Sequence, residues 1–169
     1  MKKFIGITLF VSNFFVFNSF AAAPEVIGEY GDWTAYYYKD RSGAVCYMMS
    51  SPKKDEGKYS KRGSIYAVVT HRPADKSFDV VNFDAGYTFK SGSNVVVKIG
   101  HNTVTKFFTD GEKAWTLNEE TDKQMVSLMK KGDRMIVDGV SSKGTKTKDT
   151  YSLKGFSGAY KAITAKCKR

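Results

Sequence analysis

Between residues 33 and 153 the chain reads as short β-rich segments set apart by turn residues, and that rhythm constrains the fold most. Residues 33–38 are followed by the turn Asp40-Arg41-Ser42-Gly43, and residues 44–51 form the next extended segment. Residues 52–63 are polar, lysine-rich and bounded by glycine, which reads as a loop. Residues 65–71 (Ile-Tyr-Ala-Val-Val-Thr-His) have the β-branched and aromatic content of a strand. Their apolar residues fall on both alternation phases, which predicts a central strand covered on both sides. Arg72-Pro73-Ala74-Asp75 turns the chain into residues 78–83. Val95, Val97 and Ile99 then alternate with Asn94, Val96 and Lys98, as in a half-buried strand. Residues 104–109 and 114–117 flank Asp110-Gly111, a strong hairpin signal. Residues 135–140 and 150–153 complete a set of about nine strands.

Two helices interrupt this pattern. Thr121 and Gln124 fit a capping box for a helix near 121–131, with Met125, Leu128 and Met129 on one face and Gly132 as the stop. Phe156, Tyr160, Ile163 and Cys167 recur at helical spacing and predict a C-terminal amphipathic helix over 157–166. The expected fold is mainly β: one β-sandwich, jelly-roll-like, spanning residues 22–169 without repeat or linker.

The chain begins Met1-Lys2-Lys3, continues with an apolar run over 4–20 and reaches Ala21-Ala22-Ala23. This is the three-part layout of a secretory signal peptide, assigned to residues 1–21 with cleavage after Ala21. Ser12, Asn13, Asn18 and Ser19 break the run, so it makes a poor membrane anchor. Removing 21 of the 169 residues leaves 148, the size of one ordinary domain. It leaves 25 basic against 17 acidic residues, or +8, a charge that favours anionic surfaces. Lysine far exceeds arginine and is scattered, which argues against a dedicated nucleic-acid binder.

Export also decides how Cys46 and Cys167 are read. Two cysteines in an oxidising compartment most often pair, and this pair would close a loop of about 120 residues, for roughly 4–5 kcal/mol. A catalytic thiol would need a histidine base, and neither His71 nor His101 neighbours a cysteine in sequence.

Several stretches resemble the invasion-associated locus B family of alphaproteobacterial envelope proteins. They are Gly31-Asp32-Trp33-Thr34, Val45-Cys46-Tyr47 with Ser51-Pro52, Tyr151-Ser152-Leu153-Lys154-Gly155-Phe156, and Tyr160-Lys161-Ala162-Ile163 with the late Cys167. Tyr87-Thr88-Phe89 is similar to one subgroup. The resemblance implies an exported, β-rich envelope protein without known enzymatic activity. Better-known members carry a cysteine soon after Gly-Asp-Trp, where this chain has Tyr36-Tyr37-Tyr38, and that departure leaves Cys46 and Cys167 as the available pair.

Motifs of chemistry are sparse. The two histidines lie thirty residues apart, no Cys-x-x-Cys is present, and no metal or cofactor is expected. Gly-x-Ser-x-Gly, phosphate-loop and dinucleotide fingerprints are missing. Asp79, Asp84 and Asp110 are the acids that a glycan hydrolase would have to bring together as a carboxylate pair. Tyr36, Tyr38, His71 and Arg72 are the candidate interaction face, weighed against plain cross-strand packing for the tyrosines and strand-end duty for His71. The expected function is non-catalytic binding of an envelope or host protein, or of anionic lipid or lipopolysaccharide, with envelope glycan hydrolysis as the alternative.

Overall fold

The structure, a computed structural model, describes residues 23–105 and 107–168. The expected signal peptide, residues 1–21, lies outside the described residues. In chain order the strands are β1 (Glu25–Tyr30), β2 (Trp33–Lys39), β3 (Ala44–Ser50), β4 (Lys54–Gly57), β5 (Tyr66–Arg72), β6 (Ser77–Asp84), β7 (Val96–Ile99), β8 (Asn102–Val104), β9 (Phe107–Asp110) and β10 (Lys113–Thr116). Helix α1 (Glu119–Lys131) follows, then β11 (Arg134–Val140), β12 (Lys146–Ser152) and helix α2 (Phe156–Lys166).

The strands form two antiparallel sheets, of seven strands in the order β1-β2-β3-β5-β6-β10-β9 and of five in the order β4-β12-β11-β7-β8. The expected two-sheet β architecture with two helices is therefore present. Its connections are meander-like, because most neighbours in the larger sheet are also neighbours in sequence.

Alternation puts Trp33 and Ala35 of β2, Cys46 and Met48 of β3, Ala67 and Val69 of β5, and Val81 and Phe83 of β6 into the core. Helix α2 lies against β1, β2 and β3, while α1 lies against β6 and β10. The five-stranded sheet contributes Tyr151, whose ring is 6.4 Å from that of Phe83. Trp33 joins all three layers: its ring meets Phe156 of α2 edge-on at 4.9 Å, and its Nε1 donates to the Ser152 carbonyl at 3.0 Å. Fully burying such a side chain contributes about 2 kcal/mol or more, so Trp33 and Phe156 anchor the layers together.

Helix α2 begins at Gly155, with φ 90. A Cβ there would stand 1.7 Å from the Tyr30 carbonyl oxygen, so glycine is required both for the backbone angle and for the close approach of β1. The covalent link expected from the sequence is present: Cys46 of β3 is bonded to Cys167 just beyond α2, with Cα atoms 6.0 Å apart.

Four local expectations change. The N-cap of α1 is Asn118, whose side chain accepts from the Thr121 N–H and hydroxyl, so the helix starts earlier than the Thr121 capping box predicts. Residues 52–63 contain β4, a charged edge strand of the kind that resists edge-to-edge association. Residues 104–109 are not one strand, because β8 belongs to the smaller sheet and β9 to the larger. Strand β5 is central, but only Ala67, Val69 and His71 are buried, and Tyr66, Val68 and Thr70 are half-covered on the outside.

Candidate ligand-binding face and its buried supports

Tyr36 and Tyr38 of β2 share the outward face of the larger sheet, as their spacing requires. Tyr36 stacks on Tyr47 of β3 at 4.9 Å and an interplanar angle of 12°, and Tyr38 meets Tyr47 edge-on at 6.0 Å. Burial pushes the Tyr47 hydroxyl above its ordinary range, with the neighbouring tyrosines adding to it. Arg72 joins the group by donating to Tyr38 Oη at 3.3 Å and to Asp40 Oδ2 at 2.7 Å. Its hydrogen bond holds the Asp40 carboxyl below the ordinary carboxylate range.

His71 does not belong to this face. It is fully buried on the opposite side of β5, where the register with β6 shifts between Thr70 and Arg72. There Nδ1 accepts the Asp79 N–H at 3.1 Å, at a residue whose φ is 63. Nδ1 is thus the acceptor, which leaves Nε2 to donate to Thr164 Oγ1 at 3.3 Å, and the Thr164 hydroxyl donates a hydrogen bond to the Tyr160 carbonyl. Tyr160 stands edge-on to the imidazole and donates to Asp79 Oδ1 at 2.6 Å. The histidine therefore fills a bulge and fastens α2, which answers the strand-end role weighed from the sequence.

The three acids that the alternative hydrolase reading would need as a pair take the turn and strand positions that are their ordinary role. Asp79 points into the core, whereas Asp84 lies on the outward phase of the same strand. Lys113 of β10 is the cross-strand partner of both Asp84 on β6 and Asp110 on β9, with its ammonium 2.5 Å from Asp84 Oδ2. A cation therefore stands between those two acids and is paired with one of them.

Sequence reasoning missed two other buried carboxylates. Asp122, near the start of α1, accepts from the Val81 N–H at 2.7 Å and from the Thr116 hydroxyl. Strand β10 stops at Thr116, so this carboxylate continues the hydrogen bonding of β6 where no strand remains. Burial raises its pKa above the ordinary value, and the Asp79 charge adds to the rise.

The other, Asp149 of β12, binds Arg62 in a two-pronged pair: Nη1 to Oδ1 at 2.6 Å and Nη2 to Oδ2 at 2.5 Å. Arg62 Nε also donates to the Ala85 carbonyl at 2.7 Å. Burial works against both charges. At Arg62 the carboxylate more than restores the charge, while at Asp149 burial outweighs the guanidinium and leaves the carboxyl above its ordinary range. Both carboxylate oxygens nevertheless accept from the guanidinium, the fork geometry of an ion pair.

This pair props up two aromatic rings. The guanidinium carbon lies 5.0 Å from the Tyr87 ring centre and 5.4 Å from that of Tyr59. Tyr87 is held further by a 2.6 Å hydrogen bond between its hydroxyl and that of Thr147. Gly139 opposite Thr147 makes room for it, since a Cβ would come within 2.5 Å of the Tyr87 oxygen. The rings wall a pocket of about 350 Å³, bordered by Lys58, Lys61 and Lys143. Lys58, Lys143, Thr145 and Thr147 also line an adjoining trough of about 1040 Å³ that runs past Lys146 and Lys148. The trough's acids are already engaged: Glu56 with Lys54 at 2.8 Å and Asp138 with Lys98 at 2.7 Å. Among the described residues, Lys58, Lys61, Lys143, Lys146 and Lys148 form no salt bridge. One signal for this site was legible: Asp149 shares the strand phase of Tyr151, a core position where a charged residue needs a partner.

Among the described residues no group of three or more potential metal ligands occurs, and no helix is long and apolar enough to cross a membrane. Curated protein sequences yield no match. In fold the chain is similar to the crystal structure of invasion associated protein b from Bartonella henselae, with a TM-score of 0.58, 18% identity, and coverage of 87% of this chain and 98% of that one. The family model described as invasion associated locus B (IalB) protein matches residues 33–164, and the chain belongs to that family.

Proposed function

We propose that this protein is exported to the cell envelope and acts there by binding an anionic surface component, without catalysis. The observation that carries this is the set of five lysines around the pocket and trough, whose nearby acids are neutralised by other cations. Unbalanced ammonium groups at a concave surface attract anions over a range set by ionic strength. The signal-peptide layout at the N-terminus and the cross-linked cysteines support export, because such bonds persist in oxidising compartments. The tyrosine face around Tyr36, Tyr38 and Tyr47 supports a second contact, with an envelope or host protein. A part in host-cell invasion, taken from the name of the family, belongs to this proposal.

The test is retention of purified protein on lipopolysaccharide or anionic vesicles at low and high salt. Binding that weakens steeply with salt is expected. Retention no greater than on a neutral control at low salt would overturn the proposal. Crosslinking in intact cells then identifies the partner.

A further inference from the structure

We infer that the pocket and trough form one site for an acidic oligosaccharide, a chain of sugars bearing carboxylate, sulfate or phosphate groups. This deepens the binding function proposed above and rests on it. Shape supplies the first support: a pocket of about 350 Å³ opening into a trough of about 1040 Å³ through shared residues suits an extended chain better than a lone ion.

The charges supply the second. Arg62 is committed to Asp149, so the cations left for a ligand are lysines. These are mobile point charges that accept carboxylate, sulfate or phosphate without a fixed fork geometry. The rings supply the third. Tyr59 and Tyr87 are both half-exposed at the pocket and backed by the guanidinium, presenting apolar bodies with polar tips. That surface suits the C–H face of a sugar ring, and the hydroxyls of Thr88 and Ser142 nearby suit its substituents. An acyl chain would instead require an apolar tunnel, and ammonium and hydroxyl groups border this pocket.

The experiment titrates the purified, disulfide-bonded protein with heparin oligosaccharides and with polygalacturonate oligosaccharides. Dextran oligosaccharides of equal length serve as the neutral probe and phosphatidylglycerol vesicles as the lipid probe. The paired charge reversal Lys61→Glu/Lys143→Glu is compared with Lys130→Glu/Lys161→Glu beside α2, a control of equal net charge. Both acidic glycans should bind and dextran should not. The Lys61→Glu/Lys143→Glu variant should weaken binding by about tenfold or more, as losing several charge contacts does, and the control much less. Tyr59→Leu should weaken it by about fivefold, the scale of one stacking contact. If both paired variants weaken glycan binding equally, the site is wrong although anion binding stands. If vesicles bind and the glycans do not, the ligand class is wrong. If no anionic probe binds, this inference and the proposed function fall together.

Discussion

Beyond their packing and hydrogen bonds, the C-terminal helix and the segment at residues 58–64 are each tied to a sheet by a buried cross-link, and the two cross-links differ in kind. Cys46–Cys167 is covalent and spans 121 residues of sequence, so its stabilisation comes largely from the conformations it denies the unfolded chain. It is insensitive to pH and vulnerable to reductant. Arg62–Asp149 is ionic, and two charges withdrawn from water gain little net stability from each other. Its value is positional, since it fixes the rings of Tyr59 and Tyr87 at the mouth of the pocket. One link holds the fold without touching the candidate site, whereas the other shapes the site at little benefit to the fold.

The largest effect should come from the covalent link. Cys46→Ala should lower unfolding free energy by about 4–5 kcal/mol in urea titration, as should reduction of the parent protein. Glycan binding per folded molecule should stay unchanged. A parallel loss of binding would break the distinction between the links.

Next comes Arg62→Met, which strands a buried carboxylate. The expected cost is about 3 kcal/mol, the lower end for such a lesion because Arg62 lines an open pocket. Adding Asp149→Leu should restore most of the stability without restoring binding. If the double variant binds normally, the pair has no positional role.

Why the first link was legible and the second was not is a matter of chemistry. Cys46 and Cys167 were the only cysteines, and the stripe of Phe156, Tyr160 and Ile163 already turned the C-terminal one inward. The Asp110-Gly111 hairpin and most strands were equally plain, because period-two burial writes itself into side-chain type. Arg62 stands in a lysine-rich run whose other members face water, so its burial depends on contacts formed only in three dimensions. Strand β4 was hidden for a related reason, since its charged residues sit on an edge and extended pairing with β12 defines it. His71 misled as a surface candidate because its neighbour Arg72 lies on the half-covered outer face, and one step along a strand reverses the face.

Helix α1 tests the comparison from outside, because no covalent bond fastens it. Asn118→Ala should cost about 1 kcal/mol by removing its cap, measured as a shift in urea midpoint. The loss should add to that of Cys46→Ala, and marked non-additivity would show that the two helices are coupled.

The smallest effect is a pH dependence that the covalent link cannot have. Burial raises the Asp122 pKa above its ordinary 3.8, so the folded state holds this proton more firmly than the unfolded state. Its contribution is complete below 3.8 and is lost as pH rises through the folded value. Relative to Asp122→Asn, the parent should therefore gain stability as pH falls from neutral toward 3.8, read from paired urea midpoints. A gain in the opposite direction would mean that the hydrogen bonds from Val81 and Thr116 outweigh burial.

The long reach of the disulfide governs the order in which the chain can finish. The chain emerges amino end first, so Cys46 waits 121 residues for its mate, and Trp33 waits slightly longer for Phe156. An unfinished product displays a reactive thiol beside a greasy sheet, the signature on which holding chaperones and housekeeping proteases act. Arrival of the last helix hides both at once, and completeness of the polypeptide becomes the condition for its survival.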